Sequence, residues 1–143
     1  MDASVRALFE RYERLFNQAL GGEVNMKAVA ALYAPEFIGA APAGVMAGKN
    51  DDQFRESLAQ GFARYRAMGT KAMRVRSVRL SPLDELHCVA HVGWTASYAR
   101  ESEPDSAIDF DVQYFVRVLD GVPTVFGWVT GDEQAVLKAH GIS

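Results

Sequence analysis

The sequence predicts an α+β fold, a curved antiparallel sheet wrapped around N-terminal helices. Two observations carry this. Apolar residues recur at steps of three and four through most of the first half of the chain, the signature of helix faces, and from Thr70 onward the period changes to two, the signature of half-buried strands. Helices gathered toward one end of a chain and strands toward the other argue against a doubly wound parallel sheet.

The opening helix carries Val5, Leu8, Phe9, Tyr12, Leu15, Phe16, Ala19 and Leu20 on one face, and Gly21-Gly22 stops it. Asn25 caps a shorter helix with Ala28, Val29, Leu32 and Tyr33 inward. Pro35 ends that helix near Ala34, because proline cannot donate to a helix and disfavours helix at the residue before it. Phe37 to Ala41 reads as a short strand, and Ala43 to Gly48 as a turn.

Asn50 is placed to cap a long helix reaching Met68, with Gln53 as its capping-box partner. Phe54, Ser57, Leu58, Gly61, Phe62, Tyr65 and Met68 form its inward face, and Gly69 its left-handed C-terminal stop.

Thr70 to Leu80 is the next strand, broken by Ser81-Pro82. Leu86 to Ala99 follows, with Leu86, Cys88, Ala90, Val92, Trp94, Ala96 and Tyr98 on one face. The polar run 101–106 is a turn. Ala107 to Leu119 places Ile108, Phe110, Val112, Tyr114, Val116 and Val118 in one row. Asp120-Gly121 is a two-residue hairpin turn into a last strand ending at Thr130. Asp132 caps a final short helix ended by Gly141, with His140 near its C-terminus, where a cation suits the helix dipole.

At 143 residues the expectation is one domain, 1–143, large enough to bury a self-sufficient core. Apolar residues make up 49% and charged residues 23%, which excludes a disordered chain. Net charge is −3 and the arginines are dispersed, which speaks against nucleic acid as a partner. Charges interrupt the N-terminal helix, so it is no signal peptide, and no apolar run reaches a membrane span; the expected location is the cytoplasm. A lone cysteine, Cys88, agrees with a reducing compartment and reads as a small buried hydrophobe.

The helix through Phe9, Tyr12 and Phe16, the segment Leu32-Tyr33-Ala34-Pro35-Glu36-Phe37, the long helix, and the closing Phe126-Gly127-Trp128-Val129-Thr130-Gly131-Asp132-Glu133 together resemble the nuclear transport factor 2-like (SnoaL-like) superfamily. The resemblance covers nearly the whole chain. It implies a cone-shaped, cystatin-like roll with a cavity between sheet and helices, and frequent dimerisation through the sheet. The superfamily holds isomerases, cyclases, dehydratases, epoxide hydrolases and non-enzymatic binders, so the fold does not decide the function.

Chemistry of the ketosteroid-isomerase kind needs a carboxylate base and an oxyanion hole of tyrosine and protonated acid. By the resemblance Tyr12 stands where the tyrosine would, and Asp109 and Asp111 lie on a late strand as the acid would. Both aspartates alternate with Ile108, Phe110 and Val112, which turns them away from the helices, and the first strand carries no carboxylate. His87 and His91, candidates for a dehydratase acid or base, share that outward face. Four strand residues span ~13 Å, too far for one metal ion. No metal site, phosphate loop or cofactor is expected.

The candidate ligand pocket is the inward aromatic set Tyr12, Phe16, Phe54, Leu58, Phe62, Trp94, Tyr98 and Tyr114, suited to a small apolar ligand. The alternative is that these rings fill the core. In the last hairpin the turn sets Phe115 opposite Phe126, Val116 opposite Val125 and Gly127 opposite Tyr114, with Val125 and Val129 inward. Phe115, Phe126 and Trp128 then share the outer face. Such a face marks a sheet-to-sheet homodimer, unless the terminal helix or a loop covers it.

Overall fold

The computed structural model describes residues 1–99 and 106–139. Of the turn expected over 101–106, all but Ser106 lies outside them, as do His140 and Gly141; Ser106 begins a strand. Among the described residues four helices and six strands run in the order α1 (Asp2–Leu20), α2 (Met26–Ala30), β1 (Tyr33–Ala41), β2 (Gly44–Lys49), α3 (Asp52–Ala67), β3 (Thr70–Pro82), β4 (His87–Tyr98), β5 (Ser106–Leu119), β6 (Val122–Thr130) and α4 (Glu133–Ala139). The strands form one curved, unclosed sheet in the order β2-β1-β6-β5-β4-β3. The sheet is mixed: β1 and β6 pair in parallel, and the other neighbours are antiparallel.

α1 lies across the concave face. Val5, Leu8, Phe9, Tyr12, Leu15 and Ala19 are buried there against Trp94, Val112, Tyr114 and Val125 of the sheet. Two polar side chains of α1 complete the free edge of β3. The Asn17 carboxamide donates to the Met73 carbonyl at 2.8 Å and accepts from the Met73 N–H at 2.7 Å, and Glu13 accepts from the Val75 N–H. An edge strand is thereby satisfied by side chains instead of by another strand. Cys88 is fully buried, and burial pushes its thiol pKa up, as suits an inert core residue.

Several local expectations are corrected. The second helix stops at Ala30, not near Ala34, and the chain is already extended at Tyr33, because the backbone around Pro35 is held out of helical geometry. The segment expected as a turn is strand β2, a hairpin partner of β1 with Gly44 at positive φ. Asp51, not Asn50, caps α3, accepting from the Phe54 N–H at 3.0 Å. Asn50 instead donates to the carbonyls of Ala30 and Tyr33, tying the end of α2 to the start of β1. Gly69 does adopt the left-handed conformation past α3, with φ 85°.

The largest correction concerns β6. Val116 faces Val125 as expected, but the register then shifts, so that Phe115 faces Gly127 and Tyr114 faces Trp128. One extra residue at this β-bulge reverses the parity of everything beyond it. Phe126 and Gly127 both take the outer face. Trp128 turns inward against Tyr33 and Phe37, with ring centroids 5.8 and 5.2 Å apart. Val129, expected inward, is 38% exposed on the convex side. Trp128 is therefore not part of an outer aromatic face.

Candidate functional site

A cavity of about 570 Å³ opens between α1, α3, the concave sheet face and α4. Five of the eight expected pocket residues line it: Tyr12, Phe16, Trp94, Tyr98 and Tyr114. Phe54, Leu58 and Phe62 do not. Phe62 is 2% exposed and packs edge-on against Phe16, while Phe54 packs on Tyr33 and Phe37; Leu58 packs partly buried against the core. These three pack into the core against Phe16, Tyr33 and Phe37 and their neighbours instead of lining the cavity.

Sequence reasoning left Tyr33, Tyr65 and Trp128 out of the pocket, and all three line it. Tyr65 was on the expected inward face of the long helix and could have been included. The sequence pattern places Tyr33 at a helix end and Trp128 on the outer face of its strand, whereas Tyr33 begins β1 and Trp128 turns inward.

The buried polar side chains of the cavity include a group of phenols, with Thr130 and Asp132 also on its lining. The hydroxyls of Tyr12 and Tyr33 are 2.9 Å apart, and the Trp94 indole N–H donates to the Tyr114 hydroxyl at 3.1 Å. The rings of Tyr114 and Tyr12 meet edge-on at 5.6 Å. Burial pushes the pKa values of Tyr12 and Tyr33 well above the ordinary tyrosine value; at Tyr12 the neighbouring Tyr33 adds to this, while at Tyr33 the hydrogen bond with Tyr12 partly offsets it. Both rings stay neutral at physiological pH, so they offer hydrogen bonds and not charge.

The carboxylates are elsewhere. The Ile108–Val112 stretch borders the cavity, but Asp109 and Asp111 are exposed and turn to the convex side. There Arg76 lies 3.4 Å from Asp109 and 3.0 Å from Asp111, over the bare face of Gly93, and Asp109 also accepts from Thr95 at 2.6 Å. Asp132 stands at the rim, where its Oδ1 accepts from the Ala135 N–H at the start of α4. Glu36 is exposed.

The histidines also point outward. His87 Nε2 stands 3.0 Å from Arg117, which can only donate, so Nε2 accepts and Nδ1–H donates to Asp84 at 2.8 Å. Hydrogen bonds from the Leu86 N–H and from His87 hold the Asp84 carboxyl below its usual pKa. His91 pairs with Ser81 at 3.0 Å. Among the described residues no three His, Cys, Asp or Glu side chains converge as a metal site, and no helix is long and apolar enough to cross a membrane.

The convex face of β1, β6 and β5 carries Phe115 and Phe126, stacked at 5.8 Å and half-buried, beside Ile38 and Val129, which are exposed. Leu137 of α4 packs with Ala96, Tyr98 and Ile108 on the concave side, so the terminal helix is not what covers these phenylalanines.

The profile of a family described as NTF2-like protein (DUF6841) matches residues 2–133. No curated protein matches the chain. Among solved structures, an NTF-2 like protein of unknown function from Shewanella oneidensis superposes with a TM-score of 0.68 at 10% identity, over 92% of this chain and 98% of that one. An NTF2-like protein with a cystatin-like fold from Novosphingobium aromaticivorans gives 0.66 at 12% identity, over 98% and 86%. A candidate polyketide cyclase from Xanthomonas campestris gives 0.54 at 18% identity, over 93% of each chain. At these identities the likeness is one of fold. By the family match, the chain belongs to the NTF2-like proteins.

Proposed function

We propose that this NTF2-like chain is a small-molecule-binding domain whose ligand is an apolar, ring-bearing compound held in the aromatic cavity. The carrying observation is the cavity itself: about 570 Å³, within the range of about 300–1,000 Å³ used for small ligands, walled by aromatic rings with a few hydroxyls among them. Stacking and edge-on contacts with such rings favour flat apolar ligands.

A cofactor-independent isomerase or dehydratase is the weaker reading. Proton abstraction needs a base within hydrogen-bond reach of the substrate. Asp109, Asp111, His87 and His91 all face the convex side with partners of their own, and Asp132, at the exposed rim, caps α4 through Oδ1.

The chain's two tryptophans, Trp94 and Trp128, both line the cavity, so intrinsic fluorescence reports its occupancy. Naphthalene and related fused-ring compounds are expected to change the emission and raise Tm. A ligand at about 100 times its Kd adds about 2.7 kcal/mol of stability. A broad set of such compounds that moves neither signal would defeat this reading.

A second reading concerns the convex face. Ile38, Val129, Phe115 and Phe126 form a contiguous apolar row on an unclosed sheet, which favours self-association of two chains through that face.

A further inference from the structure

The two edges of the sheet are finished differently. At β3, Asn17 and Glu13 of α1 occupy the Met73 and Val75 backbone groups. β2 is the opposite edge and pairs on its inner side alone, with β1. Edge strands are commonly guarded against pairing with another chain by charge, proline or a bulge. β2 pairs over 44–49 without a break in register, holds no proline, and carries Lys49 as its one charged residue. Val45 is 68% exposed, more than any other large apolar residue among the described ones, and Met46 is 54% exposed. One bond sets the hydrogen-bonding phase of the strand: the Asn50 N–H donates to the Pro35 carbonyl of β1 at 2.9 Å. Backbone groups alternate between the two sides of a strand, so Gly44, Met46 and Gly48 also bond toward β1, and Val45, Ala47 and Lys49 turn theirs outward. The Lys49 carbonyl accepts from the Asp51 N–H at 3.0 Å, which leaves it one lone pair.

We propose that β2 is an edge-to-edge interface for a second copy of this chain, joined antiparallel across a two-fold axis at Ala47. The self-association reading above uses the convex face of the sheet; this contact uses its edge and does not depend on that reading. Pairing about Ala47 sets Ala47 opposite Ala47, Val45 opposite Lys49 and Met46 opposite Gly48. All three outward N–H groups then meet a carbonyl, the Lys49 oxygen accepting through its remaining lone pair. The neighbouring symmetric registers are poorer: centred on Met46 the Lys49 N–H is left over, and centred on Gly48 the Val45 N–H is. Centred on Lys49, two lysines stand face to face, a repulsive pair. The side chains favour the same register. Non-hydrogen-bonded pairs bring their side chains closest, and there each Met46 meets a bare glycine. The concave side of Gly48 holds the Phe37 ring, 2.6 Å from where a Cβ would stand, which places the methionine thioether beside an aromatic edge. On the convex side Val45 lies along the aliphatic stem of Lys49. Five residues a side bury well under the ~1,200 Å² of a standard interface, so the contact is weak, with a Kd on the order of 0.1 mM.

Single cysteines read out the register, since the native Cys88 is fully buried. Ala47→Cys, Val45→Cys and Lys49→Cys are each made in a Val129→Lys background, which removes the convex-face contact, and oxidised at a protein concentration above that Kd. In the paired edges the two Ala47 Cα atoms stand about 5.5 Å apart, within disulfide reach. The two copies of position 45, or of position 49, stand about 13 Å apart, four residues along the strand. Ala47→Cys is expected to cross-link at least roughly 10-fold faster than either of the others. Sedimentation of the Val129→Lys protein over the same concentrations should show a dimer that Ala47→Pro abolishes. A proline is tolerated there because the N–H it removes faces outward from an edge strand. Amide exchange at Val45 and Lys49 should slow with rising concentration in the Val129→Lys protein and not in the proline variant. Equal cross-linking at the three positions, a dimer that survives Ala47→Pro, or no association of the Val129→Lys protein above that concentration overturns the edge assignment. Cross-linking confined to Ala47 in a chain whose wild type is monomeric at micromolar concentration upholds it and overturns the convex-face reading alone.

Discussion

Phe115 of β5 faces Gly127 of β6, and a Cβ built on Gly127 would sit 2.7 Å from the Phe115 ring. This contact turns Trp128 into the cavity and leaves the two phenylalanines stacked outside. A larger residue at position 127 would have to displace Phe115 or the β1 residue Ile38, whose Cγ2 and carbonyl oxygen both lie at 3.1 Å.

Gly127→Ala is accordingly expected to destabilise the protein by about 1–3 kcal/mol, the usual range for overpacking a filled site. Urea denaturation gives the number. A neutral or stabilising effect would mean the bulge relaxes freely, and the inward position of Trp128 would lose its explanation.

The buried phenols predict a late alkaline transition. Tyr12 and Tyr33 have folded pKa values above the unfolded value of about 10. Their contribution to stability is fully present below pH about 10 and is lost as pH rises toward the folded values, because the unfolded chain releases those protons first. An absorbance titration at 295 nm should leave some of the five tyrosines un-ionised until circular dichroism also falls. Complete ionisation of all five in a still-folded protein would contradict the burial of Tyr12 and Tyr33.

Asn17→Ala removes both hydrogen bonds to the Met73 backbone on the free edge of β3. A loss of about 1–3 kcal/mol is expected, since a donor and an acceptor are left without partners in a half-buried place. Hydrogen exchange should show the Met73 amide deprotected in the variant. An unchanged exchange rate there would show that α1 does not secure this edge.

The convex row predicts a dimer at micromolar concentration by sedimentation velocity, with Val129→Lys or Phe126→Lys shifting it to monomer. Val129 is 38% exposed, so a lysine there is tolerated by the fold and acts on the interface alone. A wild-type protein that sediments as a monomer removes the self-association reading.

Much of the fold was legible in local pattern. The steps of three and four in α1 and the alternation in β4 and β5 correspond to observed burial, with Trp94, Tyr98 and Tyr114 inward as expected. The outward aspartates were legible for the same reason: Asp109 and Asp111 lie between inward neighbours on an unbroken strand. Strand β2 was not legible, because Gly44, Ala47 and Gly48 show no alternation and the segment is exposed along most of its length. Nor was the bulge in β6, since a turn sets register only as far as the pairing continues without an extra residue.

By itself, the sequence determined the fold class, the order of the elements other than β2, and the inward rows of the uninterrupted strands. These depend on periodicity over a few residues, which the chain carries in every conformation it samples. Only the tertiary structure decided that β1 runs parallel to β6, that Trp128 and Tyr33 reach the cavity, and that Phe54, Leu58 and Phe62 do not. Each of these depends on contacts between residues far apart in the chain. Tyr12 and Tyr33 are separated by 21 positions and Trp94 and Tyr114 by 20, and only the closure of helices onto a bulged sheet brings each pair within hydrogen-bond distance.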